Sequence, residues 1–247
     1  MQLAVTGNPV VQKERKDVMR HIISTALLAL LCTILAQPAE ANPLNRWAIS
    51  CGADAAAIKR KGKTWTFTES KNHCDGGLFA QRAEISTDPV PLSHKGAYLF
   101  KATISMTTNA SNRFSLWQVH DSRLGCGPPF QVYVEPSGSL VVGSDIKTGP
   151  GESCIRRTIG NEPTKGRISR DGTRHKLQVL IEFDGEGSFN ATLWLDEEVQ
   201  IQGRYQAQSD KYRSEHFYFK HGVYSQHMFD YELISEDVSV TKVKVKN

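Results

Sequence analysis

The main part of the chain lacks any recognisable amphipathic helix. After Asn42, no stretch places apolar residues at positions i, i+3, i+4 and i+7, the spacing that a surface helix requires. The sequence also has no Cys-x-x-Cys pair, no Gly-x-Ser-x-Gly turn and no phosphate-binding loop. These absences argue against zinc-ribbon, α/β-hydrolase and nucleotide-binding proteins, and they leave strands as the main element.

A strong charge of one sign is missing as well. The 247 residues carry a net charge of +4, with 39% hydrophobic and 23% charged side chains. That composition is typical of a folded globular protein and argues against disorder. The mild positive charge suits a polyanionic substrate, but it is far from the dense basic patches of nucleic-acid-binding proteins. We therefore expect no nucleic acid among the partners.

Only one long apolar run is present, over residues 22–36. Basic Arg20 and His21 precede it, and Ala39-Glu40-Ala41 follows it. A charged start, a short apolar segment and an A-x-A site are typical of a secretory signal peptide, whereas a membrane anchor needs a longer run. We predict that residues 1–41 are an N-terminal extension and signal peptide, with Met19 as the true start. The protein is then secreted or periplasmic, without stable membrane insertion.

Short runs of alternating apolar and polar residues dominate the remainder. They cover residues 64–68, 97–106, 114–120, 131–134, 140–142, 176–183, 191–195, 217–224 and 238–245. Turn-forming segments such as Asp184-Gly185-Glu186-Gly187 separate them. This pattern predicts an all-β fold, an antiparallel two-sheet β-sandwich of the jelly-roll (concanavalin-like) type. Because no repeat, linker or change of composition divides residues 42–247, we predict one domain, and we expect a monomer.

The cysteines predict two disulfides. Of the five, Cys32 is lost with the signal peptide, and an exported chain with four remaining cysteines typically pairs them. Cys126 and Cys154 flank a strand that goes out and a strand that returns, so their positions come close together. Cys51 and Cys74 similarly bracket the predicted strand 64–68. We therefore predict the pairs Cys51–Cys74 and Cys126–Cys154 among the three possible connectivities.

Three predicted strands combine an apolar face with a polar face. Since successive strand side chains point to opposite sides, the polar positions of each strand share one side. The positions are Arg82 and Glu84 in the first strand, Gln118 and His120 in the second, and Lys220, Gly222, Tyr224 and Gln226 in the third. If the three strands are neighbours, these side chains line one concave surface. Taken singly, each also fits an ordinary surface ion pair or a half-exposed sheet residue.

The same segments carry a resemblance to a known family. Arg82-Ala83-Glu84, Gln118-Val119-His120 and the nine residues YFKHGVYSQ at 218–226 resemble motifs of alginate lyases of polysaccharide lyase family 7 and related jelly-roll lyases. Order and approximate spacing match over residues 65–245. His221, Ser225 and Ala83 depart from the usual alanine, asparagine and serine or threonine. Residues 118–123 and Cys126-Gly127-Pro128-Pro129 look closer to glucuronan- or heparin-lyase-like relatives.

The resemblance implies β-elimination on a uronic-acid polymer, such as alginate or glucuronan. We expect endo action, because an open groove is the default for a sandwich. Such an enzyme must neutralise the uronate carboxylate, remove the proton at C5 and protonate the oxygen leaving C4. Gln118 and Arg82 would neutralise the carboxylate. His120 can be neutral and accept a proton, and Tyr224 would donate to the leaving oxygen and could also be the base in a syn elimination.

The remaining expectations concern binding and cofactors. Glu84 would orient Arg82, and Lys220 would hold a carboxylate or lower the pKa of the tyrosine. We count Lys220, Glu84, Gln226 and Arg123 as substrate-binding residues of an acidic polysaccharide site. We expect no cofactor, with a structural calcium ion left open. His216, His221 and His227 are loosely spaced, so we interpret them as solvent-exposed side chains rather than metal ligands.

Two other functions fit the same fold class. A sandwich glycoside hydrolase would need two carboxylic acids across a cleft, and Glu84, Asp121 and Glu182 are the candidates, although no E-x-D-x-x-E row is present. A carbohydrate-binding sandwich without activity would use aromatic and basic residues, but it would not need both His120 and Tyr224. The presence of both side chains favours a lyase.

Overall fold

The structure, a computed structural model, describes residues 42–75, 79–123, 125–160, 166–207 and 212–245. The predicted signal peptide and the start at Met19 lie outside these residues. The part of the chain that carries the strands forms one compact unit, Asn42–Asn247. Among the described residues, no helix is long and apolar enough to cross a membrane.

The first sheet contains the strands with polar faces. Its path runs through Trp47–Ile49 (β1), Gln81–Thr87 (β4), His216–Ser225 (β14), Phe114–His120 (β7), Phe130–Val134 (β8), Leu140–Lys147 (β9) and Cys154–Thr158 (β10), and the short Val90–Pro91 (β5) pairs with β14 off this path. The pairings between neighbours are antiparallel. The three strands singled out from the sequence, β4, β14 and β7, are therefore adjacent.

The second sheet covers the back of the first. Its order is Glu198–Tyr205 (β13), Phe189–Leu195 (β12), Asp171–Asp184 (β11), Lys95–Thr107 (β6), Glu232–Val243 (β15), Thr64–Thr68 (β3) and Ile58–Lys61 (β2). Two short 3₁₀ turns, Pro43–Asn45 and Ala55–Ala57, are the helical elements of the described residues. The predicted all-β, antiparallel two-sheet sandwich is confirmed.

The core lies between the two sheets and fixes which side of the first sheet is free. Ala83, Ile85, Trp117, Val119 and Phe219 have no exposed surface, as their alternation predicts. Burying a large apolar side chain contributes about 1.5–3 kcal/mol, and a slip of one residue would expose the whole set. The polar side chains at the alternate positions are thus held on the opposite face.

Several strand bounds differ from the prediction: the strand expected over residues 140–142 extends to Lys147, and the one expected over residues 176–183 begins at Asp171. The last strand differs most. The last strand is expected over residues 238–245, but β15 runs over Glu232–Val243. A β-bulge lies between Glu236 and Ser239, and Asp237 within it has a φ of +54°. The extra residue shifts the alternation, so Leu233 and Ser235 point inward before the bulge and Val238 and Val240 after it. The alternation therefore does not indicate that residues 232–236 belong to the same strand as residues 239–243.

Both disulfides join the cysteines that the sequence pairs. Cys51 is bonded to Cys74 with their Cα atoms 5.4 Å apart, and Cys126 is bonded to Cys154 with a Cα separation of 5.8 Å. The first bridge ties the segment after β1 to the segment before β4. The second ties the loop that follows β7 to the first residue of β10.

Candidate active site

The register of the first sheet brings the predicted site strands side by side. Tyr224 of β14 pairs with Arg82 of β4, and Lys220 pairs with Gln118 of β7. Paired residues have Cβ atoms about 4.5–5.5 Å apart, so these four side chains form one cluster on the polar face. Gly222 lies between them at a φ of +137°, where a Cβ would come within 2.2 Å of the Ala83 carbonyl oxygen. A glycine at this position therefore lets β14 approach β4.

A buried charge cluster forms the centre of this face. Glu84 is fully buried, and its Oε1 accepts a hydrogen bond of 2.5 Å from Gln118 Nε2. Its Oε2 lies 3.4 Å from Arg82 Nε. Lys220 is 4% exposed; burial lowers its pKa, the charge of Glu84 opposes that shift and Arg82 adds to it. Arg82 is thus ion-paired with Glu84, and Lys220 lies within the electrostatic reach of the same carboxylate. With two basic side chains and one carboxylate, the cluster would be balanced by an added anion.

Tyr224 is half-buried between two flat groups. The Arg82 guanidinium lies over its ring, with Cζ 4.1 Å from the ring centroid. The ring of Phe79 stacks on it with centroids 4.4 Å apart, and the Phe79 backbone N–H donates to its hydroxyl at 3.2 Å. Arg82 also donates to Cys51 Sγ at 3.2 Å, so the Cys51–Cys74 bridge helps to fix the guanidinium.

His120 lies farther along β7, next to Tyr218 of β14. Its Nδ1 accepts a hydrogen bond of 2.9 Å from the Ser122 backbone N–H and lies 3.1 Å from the Tyr218 hydroxyl. Burial holds the pKa of His120 well below its usual value, and the positive charges of Lys220 and Arg82 act in the same direction. The imidazole is therefore neutral at pH 7.

No role in the site is predicted from the sequence for three residues around His120. Tyr218, Ser122 and His216 line a cleft of about 280 Å³ together with Ser50, Cys51, Ser86, Thr87, Pro89 and Lys220. The Ser122 hydroxyl donates to the Tyr218 hydroxyl at 3.2 Å, and His216 Nε2 lies 3.2 Å from the same serine oxygen. Tyr218 could have been found from its alternation with Lys220. Ser122 has a φ of +58° in a turn, which no strand pattern indicates.

His120 and Tyr224 do not touch within the sheet. Tyr224 pairs with Ser115 of β7, and the five steps along the strand from Ser115 to His120 correspond to about 16 Å. Gln118 and Lys220 lie between the two positions. A sugar residue contacted by both side chains would therefore lie across the strands above Gln118 and Lys220.

Two predicted substrate-binding residues lie apart from this cluster. Arg123 forms a buried ion pair with Asp121 and donates to the Asp145 carbonyl oxygen at 3.1 Å. Burial raises the pKa of Asp121, against the effects of Arg123 and of a 2.6 Å hydrogen bond from Ser214. Arg123 is thus ion-paired and hydrogen-bonded to groups inside the protein. Gln226 follows the end of β14 in an exposed bend.

The interpretation of the histidines as solvent-exposed is wrong for His221. It has no exposed surface, because it lies on the core side of β14. Its Nδ1–H donates to the Leu116 carbonyl oxygen at 3.1 Å, and its Nε2 accepts from the Ser235 hydroxyl at 2.8 Å. Within the ranges that the structure describes, no three His, Cys, Asp or Glu side chains are placed to hold a metal ion.

Comparisons with known proteins identify the fold. No protein-family profile and no curated protein sequence match the chain. An alginate lyase of polysaccharide lyase family 7 superposes with a TM-score of 0.54 at 14% identity, over 81% of this chain and 96% of its own. The endo-β-1,4-glucuronan lyase of the fungus Trichoderma reesei gives 0.52 at 13% identity, over 85% and 92%. An alginate lyase of Pseudomonas aeruginosa gives 0.51 at 12%, over 77% and 87%.

Proposed function

We propose that this protein is an exported polysaccharide lyase that cleaves a uronic-acid polymer by β-elimination, with endo action. The observation that carries the proposal is the buried cluster of Arg82, Lys220, Glu84 and Gln118, flanked by His120 and Tyr224. Two cations beside a single carboxylate form a site that favours a further anion. The carboxylate of a uronate is such an anion, and the likeness of the fold to alginate and glucuronan lyases supports the assignment.

The cluster meets the main chemical difficulty of the reaction. Removal of the C5 proton pushes negative charge toward a carboxylate that is already ionised. Arg82 and Lys220 would neutralise that group, and Gln118 would hydrogen-bond it as the charge develops. Because Gln118 is held by Glu84 at 2.5 Å, its amide is oriented before the substrate arrives.

Proton transfer falls to the groups that flank the cluster. Tyr224 is a hydroxyl at one end of the predicted sugar position, and His120 is a neutral imidazole at the other. The C4–O bond breaks with its electrons on the glycosidic oxygen, which takes up a proton, while the electrons of the C5–H bond form the C4–C5 double bond. Positioned acid–base groups of this kind contribute about 10²–10⁴-fold in rate.

A hydrolase is supported less well by the same geometry. Glu84 is buried and held by Gln118 and Arg82, and Asp121 is paired with Arg123. Glu182 belongs to β11 of the second sheet. None of the three candidate carboxylates faces another across the polar face of the first sheet, as a retaining or inverting glycosidase would require.

Incubation with polyuronates tests the proposal. The substrates are alginate, glucuronan and a glycosaminoglycan. For each, the unsaturated product is measured by its far-ultraviolet absorbance, and the new reducing ends are measured separately. A lyase produces the unsaturated product and the new reducing ends in equal amounts. Reducing ends without absorbance would instead indicate hydrolysis, and binding without either signal would indicate a carbohydrate-binding domain.

A further inference from the structure

The Cys51–Cys74 bridge lies at the border of the charge cluster. Cys51 is exposed and lines the cleft of about 280 Å³ together with Lys220. Its Sγ accepts a hydrogen bond of 3.2 Å from Arg82 Nη1. A reagent that enters the cleft can therefore reach the bridge, and one of its sulfur atoms is in direct contact with a guanidinium of the site.

The two sulfur atoms of this bridge face groups of opposite polarity. Cys51 Sγ faces the positive charge of Arg82. Cys74 Sγ lies 3.8 Å from the Asp75 carbonyl oxygen, which carries a partial negative charge. A thiolate is stabilised beside a cationic side chain. If the S–S bond opens, the negative charge is therefore more stable on Cys51 than on Cys74.

The second bridge has no such asymmetry. Cys126 Sγ lies 3.8 Å from the Ser153 carbonyl oxygen, and Cys154 Sγ lies 3.1 Å from the Gly125 carbonyl oxygen. Both sulfur atoms thus face partial negative charges, which disfavour a thiolate at either position. The contact with a cation distinguishes Cys51 from the cysteines of the second bridge.

Backbone hydrogen bonds hold Cys51 beside Arg82 independently of the bridge. The preceding strand, Trp47–Ile49, pairs with β4, and the Ser50 N–H donates to the Glu84 carbonyl oxygen at 2.9 Å. Opening the S–S bond leaves these backbone contacts in place. A Cys51 thiolate would therefore remain at the guanidinium rather than move away from it.

We propose that the Cys51–Cys74 bridge is a thiol–disulfide exchange site, and that the Cys51 thiolate released there binds Arg82 and excludes the carboxylate of the substrate. The co-reactant is an external dithiol. The cluster of Arg82, Lys220 and Glu84 carries two basic side chains and one carboxylate, so the thiolate supplies the anion that the substrate otherwise brings. The block of activity rests on the proposed lyase function, whereas the exchange reaction does not.

The exchange balances as a two-electron reduction. A thiolate of the dithiol attacks Cys74 Sγ and forms a mixed disulfide, while the S–S bond of the bridge breaks with its electron pair on Cys51. The sulfur that ionises more readily is the better leaving group. The second thiol of the reagent then displaces Cys74, which takes up a proton. The dithiol becomes a disulfide, and its other proton goes to solvent because Cys51 stays ionised.

The ionisation of Cys51 has a readout that does not depend on activity. Cys74→Ala leaves the Cys51 thiol, and Cys51→Ala leaves the Cys74 thiol as the matched control. Ultraviolet absorbance of the thiolate against pH should place the Cys51 transition at or below about pH 7.5, the range of thiols beside a cation. The Cys74 transition should lie near about pH 8.5, as in a free cysteine. A Cys51 transition at or above that of Cys74 would overturn the proposal.

A fixed charge at position 51 tests the block of the site. In the Cys74→Ala background, Cys51→Asp places a permanent carboxylate beside Arg82, and Cys51→Asn places a neutral group of nearly the same shape. KM for a cleaved polyuronate should be at least about 10-fold higher with Asp than with Asn, the scale of one hydrogen bond to a charged group. Equal KM in the two folded variants would overturn the block.

Reduction by dithiothreitol tests the switch itself. The Cys126→Ala/Cys154→Ala variant is used, so that the reagent acts on the first bridge alone. Activity should fall as the Cys51–Cys74 bridge opens, with both thiols counted by alkylation and mass spectrometry, and it should return on reoxidation. Full activity with the bridge open would overturn the switch. Cleavage of no polyuronate by the oxidised protein would instead overturn the lyase function and the block, and the ionisation of Cys51 would still decide the exchange.

Discussion

At the scale of single residues, removing the hydroxyl of one tyrosine at the site and of one in the core distinguishes a catalytic role from a role in packing. Tyr224→Phe keeps the ring between Arg82 and Phe79 but removes the oxygen, so turnover should fall by about 100-fold or more. Tyr231→Phe is the matched control. The Tyr231 hydroxyl is buried without a hydrogen-bond partner among the described residues, and its removal should raise the free energy of unfolding by about 1 kcal/mol.

Steady-state kinetics and thermal unfolding of both variants measure these effects. Near-normal turnover in a folded Tyr224→Phe protein would remove Tyr224 from the mechanism. An equal loss of activity in Tyr231→Phe would show that removal of a tyrosine hydroxyl away from the site is enough to lower the rate, and Tyr224→Phe would then not establish a catalytic role.

Arg82 and Gln118 should differ in kinetic effect. Arg82 carries charge in the ground state and in the transition state, so Arg82→Ala should raise KM and lower kcat together. Gln118→Ala should act mainly on kcat, because its hydrogen bond strengthens as charge develops. Arg46→Ala is the control: its ion pair with Asp88 is 63% and 45% exposed, and its loss should change stability by less than about 1 kcal/mol. Wild-type kinetics in both site variants would place the substrate carboxylate elsewhere.

The sequence predicts the members of the site better than their contacts. Alternation along one strand is local, so it places Arg82 with Glu84 and Lys220 with Tyr224 on common sides. The pairing of His120 with Tyr218 depends on the register between strands about one hundred positions apart, which no local pattern encodes. The backbone N–H of Ser122 donates to His120 Nδ1 from a turn that follows β7, and the alternation along β7 does not predict that turn.

At the scale of elements, His221 ties β14 to β7 in the same sheet and to β15 in the second sheet. The register of β14 with β7 shifts between His221 and Tyr224, and the Nδ1–H of His221 satisfies the Leu116 carbonyl oxygen at this irregularity. Its Nε2 reaches Ser235 of β15 in the second sheet. The histidine thus fills the position where related lyase motifs have alanine, and it holds the strand that carries Lys220 and Tyr224.

His221 should also make stability depend on pH. Burial lowers its pKa from 6.5 to about 4. A lowered pKa means that the unfolded chain binds the proton first, so stability is complete above pH 6.5 and falls as the pH drops toward 4. The shift corresponds to about 3 kcal/mol. Urea unfolding at pH 7 and pH 4 should show a smaller loss for His221→Gln than for the wild type, and an equal loss would contradict the prediction.

The strands with regular alternation are the ones that sequence finds. Thr64–Thr68 and Phe114–His120 are predicted with their observed bounds. The edge strands β2 and β10 are missed, since Ile58–Lys61 reads IKRK and Cys154–Thr158 reads CIRRT. Charged side chains on edge strands discourage pairing with other chains, and the same charges remove the hydrophobic pattern by which a strand is recognised.

At the scale of the whole molecule, the disulfides should contribute unequally to activity. Each closes a loop of 23 or 28 residues in sequence separation, which corresponds to about 3–4 kcal/mol of stability. Cys51 Sγ also accepts a hydrogen bond from Arg82. We therefore expect Cys51→Ala/Cys74→Ala to lower both stability and kcat.

Cys126→Ala/Cys154→Ala is the comparison pair. It should cost similar stability, and it should affect activity only through the loop that follows His120. Denaturant unfolding and kinetics of both double variants measure this, and wild-type kcat in the folded Cys51→Ala/Cys74→Ala variant would exclude a role of the bridge in holding Arg82.

The positions of β14 and β15 within the sheets determine when this chain can fold. β14 lies between β4 and β7 in the first sheet, and β15 lies between β6 and β3 in the second. Both belong to residues 216–243, so each earlier strand beside them keeps an unpaired edge until these residues have been synthesised. Folds dominated by such distant pairings form over about milliseconds to seconds. Neither sheet can therefore close before residues 216–243 have been synthesised, so folding has to follow the synthesis of these two strands.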